Sequence, residues 1–156
     1  MSTRNLTMVV DREKASHNDL GFACDPDMVS DDSYVNMYLH HDGYPAWQGV
    51  QLANWVLANP RQDGSAMAAK LVHDMYYDSC YLYPDVNNID HQYTYIIWTG
   101  KKDDIWISCY DQYSSECVFV LKPSKVVERY YDKRFEEGYT NYTDWAKGKT
   151  RFIQKD

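Results

Sequence analysis

Two histidines and an aspartate stand side by side at His40-His41-Asp42, followed at once by Gly43-Tyr44-Pro45. Imidazole titrates near neutrality and a neighbouring carboxylate can orient it, so the three side chains have the makings of a general-base pair or a metal site. The same residues also have a purely structural reading. Asp42 caps a turn, Gly43 takes a φ that other residues avoid, Tyr44 anchors the corner and Pro45 sets the start of a helix.

His-Asp neighbours recur at His73-Asp74 and Asp90-His91. Metal-dependent HD phosphohydrolases carry such pairs on helices of an all-helical fold. Here only His73-Asp74 falls in a helical pattern, while His41-Asp42 falls at a turn and Asp90-His91 ahead of a strand. A Gly-x-Ser-x-Gly elbow, a Cys with a nearby His and a Gly-rich loop ahead of a helix are all missing. Cys24, Cys80, Cys109 and Cys117 contain no C-x-x-C pair, which excludes a zinc ribbon and a thioredoxin motif, and in a reducing cytosol they read as small buried hydrophobes, with a disulfide as the alternative. No catalytic residue, metal or cofactor is assigned on these grounds.

The elements around the histidines follow from periodicity. Asn5 to Val10 is β-branched and reads as a first strand, and residues 16–32 read as an acidic loop with turns at Asp25-Pro26-Asp27 and Asp31-Asp32. Ser33 to His40 alternates, with Tyr34, Asn36, Tyr38 and His40 on one face and Val35, Met37 and Leu39 on the other. A helix over about residues 46–58 stops before Pro60, and a second, capped by Ser65, runs to about residue 77 and packs on the first as a hairpin. After a Tyr-rich loop, Tyr93–Thr99, Ile105–Tyr110 and Cys117–Leu121 form an antiparallel meander, with Gly100 to Asp104 as a hairpin loop. Pro123 opens a third helix ending near Gly138, and a basic tail follows from about residue 139. The expected fold is one α+β domain over residues 1–156, an antiparallel sheet with a helical hairpin and a C-terminal helix on one face.

Charge and aromatic content narrow the function further. Residues 1–121 hold 17 acids and 7 bases, net −10, against 6 acids and 9 bases in residues 122–156. Direct binding of a DNA backbone by this acidic body is disfavoured, because that binding draws on Lys and Arg. Every apolar run is broken well short of the roughly 20 residues a membrane span needs, and the first residues carry no secretory pattern, so a cytoplasmic address is expected. The 15 tyrosines exceed what a sheet of this size hides, and Tyr gives large rigid contact area with one polar tip, suited to protein interfaces.

The segment Tyr38 to Pro45, followed by Gly49, Leu52 and an apolar helix, resembles a group of uncharacterised phage and prophage proteins that share a His-x-Asp-Gly-Tyr-Pro signature after a strand, with His41 standing where those proteins usually carry Trp. The resemblance implies a mobile-element setting and brings no activity with it. Together these readings give a phage or mobile-element accessory protein that binds and blocks a host protein, such as a nucleic-acid-binding or defence component, without catalysis. The alternative is a nucleotide-binding or metal-dependent hydrolytic enzyme with a pocket near His40, His41 and Asp42; a virion component is a third class. The expected contact residues are His40, His41, Asp42 and Tyr44 at the turn, with Asp31, Asp32, Tyr81, Asp103, Asp104 and Tyr113 on loops, where exposed contacts concentrate.

Overall fold

Strand β1 (Asn5–Asp11) is buried along its whole length in the computed structural model, which describes residues 3–13, 24–61, 63–75, 80–101 and 104–133. It sits at the centre of a six-stranded sheet of order β3-β2-β1-β4-β5-β6. The other strands are β2 (Ser33–Leu39), β3 (Cys80–Leu82), β4 (Tyr93–Thr99), β5 (Trp106–Asp111) and β6 (Glu116–Leu121). The meander β4-β5-β6 is antiparallel, as the three β-branched runs and their short connections predict. The sheet is not wholly antiparallel, however. β1 runs parallel to β4, with Asn5 beside Tyr93 and Asp11 beside Thr99. A parallel pair needs a long crossover and cover on both faces, and both conditions are met here.

The helical layer covers one face. Pro45 lacks an N–H that a first turn would leave unbonded, and it opens a wide turn, Pro45–Gly49, with π-type hydrogen bonding, leading into α1 (Val50–Ala58). Asn59 closes α1 by donating its side-chain N–H to the Trp55 carbonyl at 2.9 Å, just before Pro60. Helix α2 (Gly64–Met75) is capped by Asp63 and not by the expected Ser65, since the Asp63 carboxylate accepts from the backbone N–H of Ser65 at 2.9 Å and of Ala66 at 3.4 Å. Helix α3 (Pro123–Tyr130) ends earlier than its sequence pattern suggests. Gly138 and the basic tail from residue 139 lie outside the described residues, as do residues 16–23 of the acidic loop.

Two cores result from the period-2 alternation of the central strands. Val9, Met37, Leu39, Tyr95 and Ile97 point to the helices and meet Leu52, Trp55, Met67, Leu71 and Val126. Leu6, Met8, Val10, Ile96 and Trp98 point the other way and are covered by loops, through Met28, Val29, Val86 and Ile89. A third cluster seats α1 on α3, where Trp47 and Val50 meet Tyr44, Val127, Tyr130 and Tyr131. No helix among the described residues is long and apolar enough to cross a membrane.

The cysteines depart from expectation. Cys24 and Cys117 form a disulfide that ties the segment ahead of β2 to the edge strand β6, 93 residues away, while Cys80 and Cys109 are free and buried. Neither bonded residue has a sequence neighbour that marks it as a partner, and only the fold brings them together.

Candidate binding surface

The loop-covered face of β2 carries the first set of candidate residues. Alternation puts Tyr38 and His40 on that face, and register places Tyr38 opposite Tyr81 of β3. Tyr38 is therefore the buried centre of an aromatic group: its ring lies 6.1 Å from Tyr81, 5.8 Å edge-on from Tyr83 and 6.0 Å from His40. The His41 ring stands edge-on to His40 at 4.7 Å. The Tyr38 hydroxyl and His40 Nδ1 are 2.8 Å apart. Burial raises the Tyr38 pKa, with Arg4 opposing and Tyr83, Asp90 and Tyr113 reinforcing, so the phenol keeps its proton.

Arg4 extends the group sideways, pairing with Asp90 at 2.7 Å, and Asp90 in turn accepts from the Tyr113 hydroxyl at 3.4 Å. The outer members are open to solvent: Tyr81 is 52% exposed and Tyr113 65%. Four expected contact residues, His40, His41, Tyr81 and Tyr113, thus converge. Sequence reasoning missed Tyr38, Tyr83, Arg4 and Asp90. Tyr83 was signalled by standing two residues beyond Tyr81 on one strand face, whereas Arg4 and Asp90 are 86 positions apart and had no local signal.

The remaining expected residues lie elsewhere. Asp42, not Gly43, takes the left-handed conformation, with φ 56°. Gly43 is required for a different reason: a Cβ there would lie 2.7 Å from Asn5 Cβ and from the Thr3 carbonyl. The Gly43 N–H donates to that carbonyl at 2.8 Å, and its own carbonyl accepts from the Tyr95 hydroxyl at 2.6 Å, which pins the turn to the sheet. Tyr44 packs in the α1–α3 cluster. Asp104 is engaged by Arg12 and by the Trp106 indole N–H at 2.8 Å; these bonds lower its pKa. Asp31 and Asp32 form a short 3-10 turn before β2. Asp103 lies outside the described residues.

The three His-Asp pairs stay apart and do different work. Asp74 is buried and accepts from His73 at 2.9 Å and from the Trp55 indole at 2.8 Å, with Lys70 at 3.3 Å. Burial alone would raise its pKa, and these partners outweigh it, leaving the carboxyl below its ordinary value. His91 is buried against the Thr94 hydroxyl at 2.7 Å, and burial depresses its pKa. Among the described residues no three His, Cys, Asp or Glu side chains are grouped to hold a metal ion, and no carboxylate is hydrogen-bonded to His40. What the arrangement offers is contact: rings, one ion pair and, among the described residues, a terminal strand with no neighbour beyond it. No protein family, curated protein or solved structure matches the chain.

Proposed function

We propose that the protein acts by binding, as a phage or mobile-element accessory protein whose β3 edge and the tyrosines around it occupy and block a host protein in the cytoplasm. One observation carries this reading: Tyr81 and Tyr83 are exposed and both pack on the buried Tyr38, with the exposed Leu82 between them opposite Met37 on the other face of the sheet. Rigid aromatic side chains on a fixed support supply contact area at low entropic cost, and tyrosine is among the residues that dominate interface energetics. An acidic body, net −7 over the chain, accelerates encounter with a basic partner at low salt. The Cys24–Cys117 bond is of a kind that a reducing cytoplasm opens, so binding is best measured in both redox states.

The test is quantitative affinity capture from host lysate with the wild-type chain and a Tyr81→Ala/Tyr83→Ala variant. A host protein held by the wild type and reduced about tenfold or more by the double substitution supports the reading, since truncating a central aromatic anchor costs on the order of 2 kcal/mol or more. Equal retention by both, with loss on His40→Ala or His41→Ala, moves the site to the histidines.

A further inference from the structure

Strand β6 carries a bulge beside its disulfide. Cys109 lies opposite Phe119 and Tyr110 opposite Cys117, so Val118 is an extra residue between them. The Cys24 sulfur sits at this bulge, 3.0 Å from the Cys109 carbonyl oxygen and 3.7 Å from that of Phe119. A disulfide sulfur has no proton to give to either oxygen, whereas a thiol at the same place is a weak donor to them. The fold therefore holds a seat for Cys24 that only its reduced form can use. The two bonded residues also differ in access. Cys24 is 7% exposed, while Cys117 is exposed on the terminal strand, so an external thiol meets Cys117 first.

The segment that follows Cys24 is tied to the sheet by little else. Its Asp27 N–H donates to the Asp25 carboxylate at 3.0 Å, and the N–H groups of Met28 and Val29 donate to the Asp25 and Pro26 carbonyls, each at 3.2 Å. All three bonds stay inside the segment. Pro26 is buried, Met28 is half-buried against the loop-covered core, and the buried Val29 anchors the far end. Neither free cysteine competes for the bond. Cys80 lies on β3, at the opposite edge of the sheet, and burial pushes the Cys109 thiol up, away from the reactive thiolate.

We propose that Cys24–Cys117 is a redox-sensitive latch: reduction by a dithiol, beginning at Cys117, releases Cys24–Met28 from β6 while the sheet stays folded. One thiolate of the dithiol attacks Cys117 Sγ, breaking the S–S bond and expelling Cys24 as a thiolate that takes a proton from water. The second thiolate then attacks the reductant's own sulfur in the mixed disulfide, expelling Cys117, which is protonated in turn. The dithiol gives up two electrons and becomes a disulfide, and the protein gains two thiols. The released segment hinges at Val29. The weak seat at the bulge returns Cys24 to Cys117 for reclosure when an oxidised dithiol takes the two electrons back. This goes beyond the β3 reading and is independent of it, because β3 and β6 are the two ends of the sheet.

The experiment treats the full chain, without denaturant, with dithiothreitol and, in a parallel arm, with glutathione. Dithiothreitol is expected to yield two new alkylatable thiols, at Cys24 and Cys117, with the near-ultraviolet circular dichroism retained. Nitrogen-15 relaxation is then expected to show the order parameters of Asp27 and Met28 falling from about 0.85 to about 0.6 or below, with those of β1 and β4 unchanged. Oxidised dithiothreitol restores the starting values. In the glutathione arm, mass spectrometry after acid quenching is expected to find the mixed disulfide on Cys117. Reduction that requires urea, loss of the near-ultraviolet signal on reduction, unchanged order parameters, or glutathione on Cys24 overturns the proposal. Cys117→Ser is expected to show the order parameters of the reduced wild type without dithiothreitol, and values matching the oxidised protein would also overturn it.

Discussion

The Trp55 indole N–H donates to Asp74 Oδ2 at 2.8 Å, joining α1 to α2 through a carboxylate that is only 3% exposed. Asp74→Ala leaves the indole N–H and Lys70 without their acceptor, and equilibrium urea unfolding is expected to show a loss of about 2–4 kcal/mol. The folded pKa lies below the ordinary 3.8, so the stabilisation is complete above pH 3.8 and is lost as pH falls through the folded value. Asp74→Asn is expected to flatten that acid limb; a limb of unchanged steepness would show that Asp74 does not set it.

His91 gives a second pH dependence in a separate window. Its folded pKa is depressed below 6.5 by burial, with the Ile89 carbonyl and Asp90 only partly opposing. The unfolded chain therefore takes up a proton before the folded one does, and stability that is complete above pH 6.5 falls as pH drops toward the folded value. Thermal melts of His91→Gln between pH 7 and pH 5 are expected to decline less steeply than wild type.

At the turn, the positions of φ strain and of close packing are adjacent and separable. Gly43→Ala is expected to cost more than about 1 kcal/mol, because the added methyl meets Asn5 and the Thr3 carbonyl. Asp42→Gly, which relieves a left-handed conformation, is expected to stay within about 0.5 kcal/mol of wild type or to stabilise. The opposite ranking in thermal melts would place the strain on Gly43.

Opening the Cys24–Cys117 bond frees a segment from β6 and enlarges the unfolded ensemble. Cys24→Ser, Cys117→Ser and treatment with dithiothreitol are expected to lower stability by similar amounts, about 2–4 kcal/mol for so long a loop. Dithiothreitol is expected to leave Cys117→Ser unchanged, and a further loss in that variant would point to a second disulfide.

Local pattern made much of this legible. Tyr93–Thr99 was readable to the residue because a β-branched run ended at a Gly-containing hairpin, and the alternation of β2 correctly sent Met37 and Leu39 to the helices. Tyr34 broke that alternation, its ring packing on Gly64 at the start of α2. Cys80–Leu82 was hidden in what reads as a loop, since three residues carry no period. The parallel β1–β4 pair and the Cys24–Cys117 bond depend on partners far along the chain, and no local signal marks them. At the candidate surface, His40 and Tyr81 could each be singled out by type, but their meeting over Tyr38 depends on the β2–β3 register.

The central parallel pair also sets an order of events during synthesis. Asn5–Asp11 is made first, yet its partner on one side, Tyr93–Thr99, leaves the ribosome almost ninety residues later. The β4-β5-β6 meander closes through short connections, whereas joining β1 to β4 demands closure of a long loop, the kind of contact that slows folding. Until β4 arrives, β1 is paired along only one of its two edges, and the other presents unbonded backbone groups of the chain's most buried strand.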